Sequence, residues 1–128
     1  MSKSSKLKGG QAAVQALKKE KNKHVFGLIG SATIEMFDAL YLEKDIKFIG
    51  VRDERSVSHM ADGYARASNR PGVILAGQNG PGATNLVTGI AQAAAAFSPV
   101  VSIAGFISTK DKIQDAFQVL INNLYLSL

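Results

Sequence analysis

Apolar and polar positions along this chain follow two periods, and the switches between them mark out the elements. Residues 10–22 place Ala13, Val14 and Leu17 on one face and Lys18, Lys19 and Lys21 outside it, which predicts an amphipathic helix ending before a strand. Residues 24–29 read as that strand, with Gly27 and Gly30 bracketing a tight exit. Helical spacing returns over 33–42 through Ile34, Phe37 and Tyr41, and 46–51 form a second short strand. The clearest signal comes next. Val57, Met60, Ala61, Tyr64 and Ala65 recur at i, i+3, i+4, i+7 and i+8, one buried stripe that puts Met60 and Tyr64 in the core. The other face holds His59, Asp62 and Arg66, the acid four residues before the arginine, an order that supports a helix. Gly63 costs about 1 kcal/mol relative to alanine in a helix interior, so a close-packed neighbour is the expected reason for it. Asn69 and Pro71 make a turn. Residues 73–76 then read as a buried strand, 77–82 as a glycine-rich loop, 83–97 as a helix apolar nearly all round and 100–104 as another strand.

Strands separated by helices of this length call for a parallel sheet covered on both faces, an α/β doubly wound layout. The chain has 128 residues, 46% of them hydrophobic, which suits one domain with a single core. No internal repeat or low-complexity tract divides it. Cysteine is absent, which excludes disulfides and a Cys-based zinc site and suits a reducing compartment, so the cytoplasm is the expected location. The net charge of +5 does not point to nucleic acid. Seven of the fifteen basic residues precede His24, where no aromatic residue is interleaved with them, and from His24 onward eight basic residues face nine acidic ones. Residues 1–9 form a basic tail, expected to be disordered, without the apolar stretch of a secretory signal. The apolar run 90–107 is interrupted by Gln92, Ser98, Pro99 and Ser102, and a buried helix followed by a strand accounts for it better than a membrane span.

In an open α/β sheet ligands gather beyond the carboxyl ends of the strands, so the loops starting at Gly27, Arg52 and Gly77 are the places to search. Gly77-Gln78-Asn79-Gly80-Pro81-Gly82 lets backbone amides approach a ligand, and the helix behind it offers a positive end. Two phosphate motifs nearly fit this loop and fail. A dinucleotide fingerprint lacks its third glycine, and the phosphate loop of ATPases would need lysine where Ala83 stands. A glycine-rich turn joining strand to helix is the plainer alternative. Glu54 stands where the second strand hands over to the next helix, either as a solvated acid favoured by the helix dipole or as a buried functional acid. His59 reads as a surface or interface histidine, and His24 opens a strand with no partner acid in view.

The run Arg52-Asp53-Glu54-Arg55-Ser56-Val57-Ser58-His59-Met60-Ala61-Asp62-Gly63-Tyr64-Ala65-Arg66, then Pro71-Gly72-Val73 and Gly80-Pro81-Gly82-Ala83-Thr84-Asn85-Leu86-Val87-Thr88-Gly89-Ile90, resembles the N-terminal, pyrimidine-binding domain of thiamine-diphosphate enzymes of the acetolactate synthase group. The resemblance reaches back to His24-Val25-Phe26-Gly27 and forward to Gln114-Asp115-Ala116-Phe117-Gln118, covering residues 10–118. It implies thiamine diphosphate as cofactor and a 2-oxo acid or aldehyde as substrate. Glu54 would be the catalytic residue, hydrogen-bonding a ring nitrogen of the aminopyrimidine and favouring the imino tautomer that takes the thiazolium proton. Gly27, Gly30, Gly77, Gln78, Asn79, Gly80, Pro81, Gly82 and Asn85 would shape the cofactor pocket, with Phe117 and Gln118 near the substrate side. A homo-oligomer with the cofactor between two chains is also implied.

Ile29 stands where the synthases usually have proline, Asp53 where they have histidine and Gln78-Asn79 where Thr-Ser is common, wording closer to sulfoacetaldehyde acetyltransferases. The family holds magnesium and diphosphate in a separate C-terminal domain, and no such motif occurs here, so no metal ligand is assigned and flavin is left open. Residues 119–128 do not follow the family, and the chain reads as a fragment that is inactive alone. The competing reading is a noncatalytic α/β module that binds a small anion or a protein partner through the loop 77–82.

Overall fold

The structure, a computed structural model, describes residues 6–77 and 79–106. Its centre is a four-stranded parallel sheet in the order β2-β1-β3-β4, built from β1 (His24–Gly27), β2 (Lys47–Gly50), β3 (Gly72–Leu75) and β4 (Val100–Ile103). The two inner strands are buried along nearly their whole length, whereas β2 and β4 are only half covered. Both faces of a parallel sheet must be covered because its crossovers lie on them, and here alternate residues of the same strands serve the two sides. Val25, Val73 and Leu75 pack with Val14 of α1 (Gly9–Lys19) and with Phe37 and Leu40 of α2 (Ile34–Tyr41). Phe26, Ile74 and Ala76 pack with Val57 and Ala61 of α3 (Glu54–Ser68) and with Leu86. The doubly wound α/β arrangement is therefore the one its alternation of elements implies.

Several details differ from the periodic reading. A 3-10 turn (Ser31–Thr33) precedes α2, whose buried sector lies between Phe37 and Leu40. Ile34 and Tyr41 fall beyond the edge of that sector and are 56% and 89% exposed. Met60 likewise sits at the rim of the α3 stripe and is exposed, while Tyr64 is half-buried, its ring against Phe26 and its hydroxyl 3.3 Å from Nδ1 of His24. Asp62 belongs to the inside, not to the outer face: it is 2% exposed. A methyl group built on Gly63 would meet nothing within 4 Å, so no close neighbour explains that glycine.

The apolar helix expected over 83–97 is two helices, α4 (Pro81–Thr84) and α5 (Val87–Ala95), parted at Asn85 and Leu86. Proline at the first position of α4 starts that helix early, since its missing N–H is not needed there. Nor is α5 buried on every side. Gly89 and Ala93 face inward, Ala91, Ala94 and Ala95 face outward, and Phe97 beyond its end is 94% exposed at φ 54°.

Candidate functional site

The strand order puts β1 and β3 side by side, with the chain leaving β1 toward β2 and β3 toward β4. At such a switch point the loops beyond the carboxyl ends diverge and leave a crevice. Two loops leave the sheet at this point, 28–30 after β1 and the one that begins at Ala76 after β3, and here they touch. A Cβ on Gly77 would lie 2.6 Å from the Leu28 carbonyl oxygen and 3.2 Å from the Gly30 amide, so only glycine permits this approach. Gly27 is glycine for a similar reason, since a Cβ there would run into the carbonyl oxygen of Leu75. Thr33 closes the corner. Its buried hydroxyl lies 3.2 Å from the carbonyl oxygens of both Ala76 and Gly77 and 3.3 Å from that of Gly30, so its one proton is shared among the ends of both loops.

Past Gly77 the chain carries the buried Asn79 and then Gly80 at φ 63°, ψ −115°, a backbone conformation that side chains disfavour. The Gly80 carbonyl accepts the amides of Ala83 and Thr84, both at 3.0 Å, and Gly82 is buried in α4. Gln78, Phe117 and Gln118, named from the sequence, lie outside the described residues.

Asp53 and Glu54 divide two tasks at the start of α3. Asp53 caps the helix, its carboxylate accepting the Arg55 amide at 2.8 Å and pairing with the Arg55 guanidinium at 2.7 Å. That guanidinium, together with the amide, holds the Asp53 carboxyl down to about 2. Glu54, the first helical residue, is thereby free of capping and half-buried. Its Oε2 accepts a hydrogen bond from Nδ2 of Asn85 at 3.2 Å. Asn85 is itself anchored: its backbone amide donates to the Pro81 carbonyl at 2.9 Å, and the adjacent Leu86 is 1% exposed in the core. The structure thus brings together two residues that are far apart in the chain and ties Glu54, through Asn85, to the glycine loop.

Two further contacts continue this seam between α3 and α5. A Cβ on Gly89 would collide with the Ser58 hydroxyl, so the helices touch there. Below it the Asp62 carboxylate accepts from Gln92 Nε2 at 2.8 Å and from Arg66 Nε and Nη2 at 2.9 and 2.8 Å. Arg66 is the chief cause of the Asp62 carboxyl lying well below the usual carboxylate range. Glu54, Ser58 and Asp62 are one helical face, and opposite them stand Gly89 and Gln92 of α5 with Asn85 just ahead of that helix. Reasoning from the sequence missed Thr33, Ser58 and Gln92. Gly89, an isolated glycine within a helical pattern, was the available sign of the close approach.

The family model described as "Thiamine pyrophosphate enzyme, N-terminal TPP binding domain" matches residues 7–126. Among curated relatives, a probable acetolactate synthase large subunit of Methanocaldococcus jannaschii is 47% identical over 112 residues, 88% of this chain and 19% of that protein. The acetolactate synthase large subunit of Cyanidium caldarium is 47% identical over 113 residues, 86% of this chain and 19% of its own. That of Haemophilus influenzae is 42% identical over 113 residues, 88% of this chain and 20% of its own. The chain spans about a fifth of the length of the curated relatives it matches.

Proposed function

Because the chain belongs to the family of the thiamine pyrophosphate enzyme N-terminal TPP binding domain, we propose that it supplies the pyrimidine-facing half of a cofactor site in an acetolactate-synthase-like carboligase, with Glu54 as the activating acid. The observation that carries the reading is the Glu54 carboxylate at the carboxyl edge of the sheet, with one oxygen engaged by Asn85. The residues present fit an aminopyrimidine. A carboxylate suits a ring nitrogen that shares a proton, and Gly80, at φ 63°, carries no side chain on the loop that leads to Asn85. When bound, thiamine diphosphate supplies a thiazolium that accepts the electron pair of a broken carbon–carbon bond. Glu54 holds or gives up the proton at the ring nitrogen, and the loop 28–30 and the glycine-rich loop after β3 are assigned to the pocket wall, Gln78 and Asn79 by the family resemblance alone.

Among the described residues no group of three or more His, Cys, Asp or Glu side chains could hold a metal ion. Following the family resemblance, the magnesium and diphosphate are assigned to another domain or a second copy of the chain, in a homo-oligomer. Phe117 and Gln118 are assigned to the substrate side. No helix among the described residues is long and apolar enough to cross a membrane, and a cytoplasmic location agrees with the cysteine-free composition.

A chimera tests the proposal. Replacing the matching segment of the Methanocaldococcus jannaschii relative with this chain should give a protein that binds thiamine diphosphate, exchanges its thiazolium proton and turns over pyruvate. Glu54→Gln should abolish the exchange while leaving the chimera folded, because an amide keeps the shape but cannot share the proton. A folded, cofactor-loaded chimera that exchanges no faster than free cofactor would refute the reading and favour the noncatalytic module. Sulfoacetaldehyde with phosphate, offered to the same chimera, separates the two substrate classes.

A further inference from the structure

We propose that Asn85 is a positioning residue that acts through Glu54 and does not itself hold the cofactor, an inference that rests on the role given to Glu54 above. The hydrogen bond between Asn85 Nδ2 and Glu54 Oε2 is 3.2 Å long and joins residues 31 apart in the sequence. A carboxylate accepts only, so the amide nitrogen and not the amide oxygen must face it. Held at Oε2, the carboxylate cannot swing freely about its last torsion, and Oε1 is the oxygen left to meet a ring nitrogen. An acid on a helix's first residue would otherwise turn toward the backbone amides of its own first turn or toward water.

The surroundings of Asn85 suit such a clamp. It lies in the break between α4 and α5, where its backbone amide is bonded to the Pro81 carbonyl and the next side chain, Leu86, is in the core. The register of the two helices is fixed further down by Ser58 against Gly89 and by Asp62 bonded to Gln92. These contacts descend one face of α3 in steps of four residues and, opposite it, run from Asn85 in the break to Gly89 and Gln92 of α5, so α5 cannot slide without pulling Asn85 from Glu54. The seam explains why Gly89 packs tightly and why a carboxylate is buried at Asp62 on a helix whose outer face is polar.

Two experiments decide the matter. In the full 128-residue chain, labelled with nitrogen-15, the side-chain amide protons of Asn85 should shift as Glu54 is titrated, and the shift should vanish in Glu54→Gln. Resonances that ignore the substitution would overturn the inference. In the chimera, Asn85→Ala should slow thiazolium proton exchange by about tenfold while changing cofactor affinity by less than about twofold, the loss of one hydrogen bond to a charged group. Asn85→Asp, which keeps the shape and removes the donor, should be at least as slow. An Asn85→Ala variant that loses affinity and keeps its exchange rate would show that Asn85 touches the cofactor directly; the Glu54 reading would survive that result. Exchange in Glu54→Gln as fast as in the parent chimera would remove both.

Discussion

A methyl group added at Gly63 meets open space, whereas one added at Gly89 would strike the Ser58 side chain. The two substitutions should therefore act in opposite directions. We expect Gly63→Ala to raise the stability of the chain by about 0.5–1 kcal/mol through helix propensity alone, and Gly89→Ala to lower it by about 1–3 kcal/mol through overpacking of the α3–α5 seam. Urea denaturation of the two variants measures both. Asp62 makes a related point about charge. Its carboxyl lies below the ordinary range, chiefly because of Arg66, so it contributes stability that is complete above the unfolded pKa of about 4 and is lost as pH falls toward the lowered folded value. Asp62→Asn should thus flatten the acid side of the stability profile below about pH 4, measured as the urea midpoint against pH. Sequence periodicity put Asp62 on the outer face because a carboxylate is costly to bury. Its bonds come from Arg66, one turn away, and from Gln92, thirty residues away, and the second leaves no local mark. Glu54 was legible as a candidate from the family resemblance, but its bond to Asn85 was not, for the same reason.

Elements were easier to read than their faces. All four strands, and the helices that join the first three, lie where the periodicity puts them, since a change of period is a local property of the chain. The segment 83–97 fails because alanine and glycine mark neither side of a helix: a run apolar all round fits a buried helix and equally one whose outer face bears small methyl groups. Its end shows the cost. The amides of Phe97 and Ser98 close the helix onto Ala94 and Ala93 at 3.1 and 2.9 Å, a turn that places Phe97 in the left-handed conformation where glycine is usual. Phe97→Gly should relieve about 1 kcal/mol of backbone strain and remove a ring that is 94% exposed. We expect a higher midpoint in thermal denaturation and weaker self-association. An unchanged midpoint would mean that the ring is packed in solution.

For the molecule as a whole, the outer side of β4 is paired with no other strand among the described residues, and Val101 and Phe106 beside it are 47% and 49% exposed. An open edge flanked by apolar side chains favours association, and sedimentation at low micromolar concentration should find dimers or larger species in place of a single monomer. The same chain should bind thiamine diphosphate weakly or not at all with magnesium present, since the diphosphate is assigned above to another domain or copy; a micromolar dissociation constant in calorimetric titration would contradict this. Parallel pairing has a further consequence, one of timing. Val25 is bonded in register to Phe48 on one side and to Val73 on the other, so no hairpin can start this sheet and each pairing waits for the intervening helix to be made. On a ribosome the pair β1–β2 can form early, while β1 keeps its other edge open until β3 emerges, and Glu54 meets Asn85 only when α5 docks. The acid is made early in synthesis and acquires its orientation late, so a nascent chain stalled before residue 85 would carry Glu54 with no partner to aim it.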